Sequence, residues 1–243
     1  MAGARGPGPN GSEMTVTLQA RAQGLSLTVD ESLRGVLALG LLEADGIEME
    51  VMPPDFERER DELVARLSAQ YAGRAPADIP GVAETRALFH QLDIDPTKTR
   101  PSSEALLRRV LQGKGLPHIN LAVDVCNLSS LEHQIPLGLY DRELVRGSVL
   151  VRVGHEAEGY PGIRKQRVNL SRRLLLADDE GPFGAPTSDS ARTAVTARTQ
   201  RLLVVLFCPV ERADRQLSST LEHLAGLLTR FCSASVSAVQ VMQ

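Results

Sequence analysis

The sequence predicts an α+β fold in which helices pack against a mixed or largely antiparallel sheet. Continuous apolar runs such as VLALGLL and RLLVVLFCP are typical of strands buried on both faces. RADRQLSSTLEHLAGLLTRF carries leucines at helical spacing and is the clearest amphipathic helix. Strands and helices do not alternate strictly, which favours α+β over a doubly wound α/β sheet.

The remaining elements are predicted from local hydrophobic patterns and from capping and turn residues. We expect helices at FERERDELVARLSAQYAG, at ETRALFHQLDID, and at SSEALLRRVL, the last with Ser102 or Ser103 as N-cap. INLAVDVCNLSSLEHQIP is assigned as a helix, although its β-branched residues leave a strand open. Strands are expected at LSLTVD, VLALGLLEADGIEMEV, ELVRGSVLVRVG, RVNLSRRLLLADD, RLLVVLFCPV and SASVSAVQVM. GPFGAPTSDSARTAV is expected to be a long loop between two strands.

Composition limits the classes of function. The 243 residues contain 42% hydrophobic and 23% charged residues, which is ordinary for a globular protein. Aromatic residues make up only 3%, which argues against a surface that stacks single-stranded bases. No run approaches the roughly 18 apolar residues of a membrane span. Three widely spaced cysteines and five histidines without HExxH spacing predict no disulfide, metal site or cofactor, and a reduced, cytoplasmic protein.

Charge is distributed unevenly along the chain. Nine acidic and three basic residues lie between Glu43 and Arg66, whereas thirteen basic and seven acidic residues lie between Lys98 and Arg173. Such asymmetry can create a surface that attracts phosphate groups. A well-solvated surface of mixed charge is the other interpretation, and the sequence leaves both open.

Few residues form a known catalytic pattern. Cys126 could be a nucleophile with His118 or His133 as base, but a small buried thiol is the preferred interpretation. Neither a GxSxG elbow nor a Walker loop is present. The distinctive feature is the loop near residue 185, where glycines, hydroxyls, a carboxylate and a guanidinium could bind a small ligand or bond to their own backbone. These residues are Gly181, Gly184, Thr187, Ser188, Asp189, Ser190, Arg192 and Thr193.

Several motifs in the right order resemble one family. RPSSEALLRRVLQGKGLPHINLAVDVCNLSSLEHQIPLGLYD is similar to a stretch of the B3/B4 domain of the phenylalanyl-tRNA synthetase β subunit, and more so to stand-alone bacterial proteins built around that domain. GPFGAPTSDSARTAVTART occupies the place of the family's glycine-rich loop. The resemblance covers roughly residues 80 to 240. It implies a B3/B4-like domain at 80–243. Composition predicts a flexible tail at 1–14, and an N-terminal α/β segment is expected at 15–79.

The resemblance implies editing of aminoacyl-tRNA, in which the domain hydrolyses a mischarged ester without a covalent nucleophile. Asn127 is expected to orient the ester or water, and Cys126, Gly138, Gly181 and Val205 correspond to family pocket positions. The amino acid and tRNA are the expected partners, with no membrane partner. The expected tRNA-binding residues are Arg108, Arg109, Arg164, Lys165, Arg167, Arg172 and Arg173.

Two positions depart from the family pattern. Gly138 stands where the family has His, and Val205 stands at or near its Glu. If both line the pocket, selectivity should be modest and based on shape, without preference for tyrosine over phenylalanine. The alternative function is a non-catalytic module that binds an amino acid, a small metabolite or RNA, and a weaker third option is a synthetase-associated scaffold.

Overall fold

The computed structural model describes residues 19–22, 25–163 and 167–243. The predicted tail at 1–14 and the basic residues Arg164 and Lys165 lie outside the described residues. Five α-helices lie within the described ranges, namely α1 (Pro54–Gln70), α2 (Pro80–Gln91), α3 (Ser102–Leu111), α4 (Leu121–His133) and α5 (Val210–Cys232). The strands are β1 (Gln19–Ala22), β2 (Leu25–Val29), β3 (Leu37–Asp45), β4 (Leu137–Asp141), β5 (Val149–Val153), β6 (Gly159–Tyr160), β7 (Val168–Asn169), β8 (Leu174–Asp178), β9 (Gly181–Gly184), β10 (Arg201–Pro209) and β11 (Ser235–Met242).

The strands form two main sheets and one short ribbon. A four-stranded antiparallel sheet has the order β11-β3-β10-β4, and a five-stranded mixed sheet has the order β1-β2-β5-β8-β9, in which β2 and β5 are parallel. Strands β6 and β7 pair separately. The N-terminal segment therefore contributes strands to both main sheets, since β3 lies inside one and β2 inside the other. The predicted α+β class with mixed and antiparallel strands is confirmed.

Two hydrophobic clusters divide the molecule into layers. One side of the four-stranded sheet packs on α1, α3, α4 and α5, through residues such as Leu42, Leu202 and Leu221. The other side packs on the five-stranded sheet and α2, with Val205 and Phe207 in that second cluster. Strand β10 is thus buried on both faces, which explains its continuous apolar sequence.

The structure corrects two expectations about secondary structure and decides a third. GPFG is not loop but strand β9, which pairs with β8. Helix α3 begins at Ser102 with Pro101 as its N-cap residue, without a side-chain cap from either predicted serine. The segment left open between helix and strand is helix α4, whose N-cap Asn120 accepts a hydrogen bond from the Val123 amide at 3.0 Å. None of the helices in the described ranges is long and apolar enough to cross a bilayer.

Two glycines make room for a buried phenol. Tyr140 is fully buried and packs edge-on against Phe183, with ring centroids 5.0 Å apart. A Cβ atom added at Gly138 or at Gly184 would collide with the Tyr140 side chain. The glycines in these two strands are therefore required by close packing.

Replacing Gly184 by Ala should destabilise the protein, because the added Cβ would collide with the fully buried Tyr140 side chain. We expect Gly184→Ala to lower the free energy of unfolding by about 1–3 kcal/mol. Gly226→Ala is the matched control, since a Cβ there meets open space within helix α5 and should stabilise by about 0.5–1 kcal/mol. Urea denaturation measures both, and equal stability of the two variants would contradict the packing argument.

Candidate functional site

A cavity of about 230 Å³ opens between helix α4, strand β4 and the loop that follows β9. Its walls are mainly aliphatic, and its polar groups come from α4, the loop and the start of α3. We call it the α4 pocket; it is lined by Ser102, Ile119, Val123, Cys126, Asn127, Leu137, Leu139, Ile163, Ala185, Thr187, Ser188, Asp189 and Val195. An apolar cavity with a few convergent polar groups is the usual form of a small-ligand site.

Helix α4 contributes one face to this pocket. Cys126 and Asn127 come three and four residues after Val123, so both side chains lie on the same side of the helix as Val123. Asn127 is half-buried, and no hydrogen bond joins its side-chain amide to another residue in the described part of the chain. The amide is therefore available as both donor and acceptor to a bound ligand.

The loop after β9 is held by its neighbours. The Ser190 amide donates to the Phe183 carbonyl at 3.1 Å, and the Ala191 amide donates to the Pro161 carbonyl at 2.9 Å. At the other side, the Ser102 amide at the start of α3 donates to the Pro186 carbonyl at 2.9 Å. These main-chain bonds fix the loop against β9, the β6–β7 ribbon and α3.

The polar side chains of the loop divide into two groups. Arg192 forms an ion pair with Asp178 at 2.7 Å, Thr193 donates to the Phe183 carbonyl at 3.3 Å, and the Ser190 hydroxyl accepts from the Arg192 amide at 3.1 Å. These three side chains stabilise the loop itself and do not line the pocket. Thr187, Ser188 and Asp189 do line it. Part of the loop therefore bonds to its own neighbours, and Thr187 to Asp189 stay candidates for contact with a ligand.

Asp189 is the acidic group of the α4 pocket. Its Oδ1 atom is buried and has no hydrogen-bond partner of normal geometry in the described ranges, and the same is true of the nearby Tyr140 hydroxyl. Burial raises the pKa of Asp189 to about 7 from the ordinary 3.8, although Tyr140 and the amides of Ala185 and Leu139 oppose the shift. The pKa values of Tyr140 and Tyr160 are raised by burial and secondarily by Asp189.

Two expected pocket residues face away from the cavity. Val205 on β10 pairs with Gly138 on β4, and both lie on the side of the sheet that packs on the five-stranded sheet. Because side chains alternate along a strand, Leu137 and Leu139 face the pocket. The Tyr140 side chain occupies the space that a side chain at Gly138 would need. Val205 and Gly138 thus do not line the α4 pocket, whereas Asp189 does.

The two loop glycines expected in the site, Gly181 and Gly184, lie in β9 and not in the pocket wall. Gly181 begins the strand with φ +115°, in the region that favours glycine, and Gly184 packs against Tyr140. Gly181 therefore permits a backbone conformation, and Gly184 permits close packing of the strand against Tyr140. A direct contact with ligand would have to involve residues further along the loop.

Cys126 lacks the environment of a reactive thiol. The residue is almost completely buried, and burial raises the pKa of its thiol well above the ordinary value. His118 Nδ1 lies 2.5 Å from Asp124 Oδ2, so this imidazole is paired with a carboxylate. His133 instead faces His223, with Nε2 and Nδ1 2.8 Å apart. Neither candidate base is bonded to Cys126.

The basic residues expected to contact tRNA fall into two groups beside the loop. On α3, Arg109 is exposed, whereas Arg108 donates to Glu104 at 2.7 Å; both border a shallow surface groove of about 360 Å³ with Arg100 and Lys114. Near the β6–β7 ribbon, Arg167 and Arg172 are exposed and Arg173 is half-buried. Because α3 and the ribbon both bond to the loop, each group lies on an element next to the α4 pocket.

A cluster of possible metal ligands also forms between residues that are distant in sequence. Glu132 and His133 end helix α4, and His223 lies on α5 opposite them. No spacing motif reveals this group in the sequence, because its two histidines are 90 residues apart. The packing of α4 against α5 brings them together.

Stability should depend on pH through Asp189. Between its ordinary pKa of 3.8 and its folded value of about 7, the folded protein keeps a proton that the unfolded chain loses, so stability falls as pH rises through this window. Between pH 4 and 8, the free energy of unfolding of the wild type should fall relative to that of Asp189→Asn. The expected fall is about 1.4 kcal/mol for each unit by which the folded and unfolded pKa values differ. Urea denaturation at several pH values measures this difference. Asp93→Asn is the control, because Asp93 is exposed. Parallel pH profiles for the wild type and Asp189→Asn would contradict the burial of the Asp189 carboxyl.

Comparison with known proteins identifies relatives over part of the chain. The β subunit of phenylalanine–tRNA ligase from Cutibacterium acnes is 38% identical over 92 residues, which are 37% of this chain and 11% of that subunit. The β subunit from Streptomyces avermitilis is 36% identical over 92 residues, with the same coverage. The one from Leifsonia xyli is 33% identical over 112 residues, which are 45% of this chain and 13% of that subunit. The chain thus matches about a tenth of the length of these curated relatives.

One solved structure and one family model also match. An N-terminal fragment of the phenylalanyl-tRNA synthetase β-subunit from Pyrococcus horikoshii aligns with 89% of this chain and 51% of its own, at a TM-score of 0.47 and 11% identity. The family described as the B3/4 domain matches residues 85–228. This range includes α3, α4, the loop and β10, and covers more than half of the residues. The chain belongs to the B3/4 domain family.

Proposed function

We propose that this protein acts in trans as an aminoacyl-tRNA editing enzyme that hydrolyses the ester between an amino acid and tRNA. The observation that carries the proposal is the α4 pocket. Within one cavity of about 230 Å³ it combines aliphatic walls, the side-chain amide of Asn127 and the polar residues Thr187 to Asp189. This size and lining suit the side chain of one amino acid, with its ester near the half-buried Asn127.

The proposed reaction needs no covalent enzyme intermediate. Water attacks the ester carbonyl carbon, the bond from that carbon to the ribose oxygen breaks, and the ribose oxygen takes up a proton. Asn127 would hold the ester carbonyl or the attacking water in place. Orientation of this kind can supply a large part of a rate enhancement. The raised pKa of the Cys126 thiol argues against a thiolate nucleophile.

The proposed contact with tRNA is electrostatic. The exposed basic residues on α3 and beside the β6–β7 ribbon lie on elements that bond to the loop of the pocket. Phosphates bound there would bring the aminoacylated end of the tRNA toward Asn127. Arg108 is expected to contribute less than Arg109, because its guanidinium is already paired with Glu104.

Asp189 suggests which side chains the pocket prefers. The buried Oδ1 atom of this carboxyl has no partner of normal geometry in the described ranges, which is costly, and a ligand group that donates a hydrogen bond to it would relieve that cost. We therefore propose that the preferred amino acids carry a donor, such as a hydroxyl, at the end of the side chain. An isosteric apolar side chain would leave Oδ1 unpaired.

Deacylation of a panel of mischarged tRNAs tests the proposal. The panel should contain threonyl with valyl and tyrosyl with phenylalanyl esters, so that each pair differs by one polar group. We expect hydrolysis of at least one ester, with the hydroxyl-bearing member favoured by about tenfold or more. Asn127→Ala should lower kcat/KM by about 100-fold, the size of the loss when one oriented donor is removed.

Cys126→Ser is the matched control on the same face of α4, and it should keep activity within a few-fold of wild type. A loss of several orders of magnitude in folded Cys126→Ser would instead indicate a cysteine hydrolase. If no ester in the panel is hydrolysed, the editing proposal is wrong. Stabilisation of the protein by a free amino acid, without affinity for tRNA, would then identify a non-catalytic binding module.

Binding of tRNA should weaken steeply with salt. Each phosphate neutralised by a basic residue contributes about one unit to the slope of log affinity against log salt concentration. Arg109→Glu combined with Lys114→Glu should weaken binding further and reduce that slope. Arg58→Glu combined with Arg74→Glu is the control, because both residues are exposed and lie outside the basic region. A filter-binding curve that is flat between low and moderate salt would contradict tRNA binding.

A further inference from the structure

Glu132, His133 and His223 lie together where the end of helix α4 meets helix α5, outside the α4 pocket. His133 Nε2 and His223 Nδ1 are 2.8 Å apart, and His223 Nδ1 is 3.7 Å from Glu132 Oε2. One ligand atom from each residue lies within 4.8 Å of the others. We propose that these three side chains bind a divalent transition metal ion that links α4 to α5.

The spacing of the donor atoms fits a shared ion. Imidazole nitrogens bind such ions at about 2.0–2.1 Å, so two of them in adjacent coordination positions lie about 3 Å apart. The two histidine nitrogens need to separate by only a few tenths of an ångström, and Glu132 Oε2 lies 3.7 Å from His223 Nδ1. In the metal-free protein, one of the facing nitrogens carries a proton that the other accepts. Metal binding shifts that proton to the outer nitrogen of the same ring.

The charge state also suits a ligand. Burial, followed by the effect of His223, holds the pKa of His133 below its ordinary value, so its imidazole is neutral at pH 7. All three residues are half-buried, which leaves a path for the ion and for water in the remaining positions. Two imidazoles with one carboxylate favour Zn²⁺, Co²⁺ or Ni²⁺ over Mg²⁺ or Ca²⁺.

Two arginines near the cluster limit its affinity without blocking it. Arg66 pairs with Glu132 Oε1 at 2.6 Å, which leaves Oε2 toward the histidines. Arg212 donates to the main-chain carbonyl of His133, not to its ring. Their positive charge opposes that of the ion, so removal of Arg66 should strengthen binding.

The test uses the untagged full chain, stripped of metal with a chelator and titrated with Zn²⁺ by calorimetry and with Co²⁺ by visible absorption. We expect one ion per chain, with absorption bands of Co²⁺ bound to nitrogen ligands. His223→Ala and Glu132→Gln should each lower the affinity for Zn²⁺ by at least about tenfold. Loss of a residue that only supports a metal ligand already lowers metal affinity by about tenfold or more. Arg66→Gln should raise it several-fold.

His90→Ala is the matched control, because His90 is exposed and lies on α2. It should bind Zn²⁺ as the wild type does, and circular dichroism should confirm that each variant is folded. Absence of saturable binding to the wild type would overturn the proposal. Equal affinities in His223→Ala and His90→Ala, or an affinity unchanged by Arg66→Gln, would overturn it as well.

Discussion

Strand β10 must have every backbone amide and carbonyl paired inside the protein, because it is covered on both faces and on both edges. Nine of its residues pair with β3 and five with β4, so its register determines which residues of those strands face the helices. Leu137 and Leu139 face α4 for this reason, and Gly138 and Tyr140 face the other sheet. The shape of the α4 pocket is thus a consequence of strand pairing in the centre of the molecule.

Much of this architecture could be predicted from local pattern. The apolar runs of β3 and β10 and the leucine spacing of α5 indicate buried strands and an amphipathic helix without any tertiary information. The sequence alone did not show which side of the sheet each strand residue faces. The family pattern places Val205 in the pocket, but a shift by one residue reverses the side of the sheet. The pairing of His133 with His223 depends on the packing of α4 against α5, and no local signal encodes it.

The loop after β9 shows how one segment can be both rigid and open to a ligand. Its first residues form a strand, and its later side chains, Ser190, Arg192 and Thr193, are bonded to neighbouring main-chain groups and carboxylates. Between them, Thr187 to Asp189 remain at the cavity. The bonds on either side hold these residues at the cavity wall, although burial of the Asp189 carboxyl costs stability.

The three cysteines give the protein built-in reporters of its own motion. All three are free and buried in the same hydrophobic cluster, but they lie on different elements, with Cys126 on α4, Cys208 near the end of β10 and Cys232 at the end of α5. A thiol reagent can reach each one only when the surrounding structure opens. The labelling rate of each cysteine therefore measures the free energy of opening of its own region, and comparison of the three rates distinguishes local fluctuations from global unfolding. Cys126 lies in the wall of the α4 pocket, so its labelling should also slow when that cavity is filled.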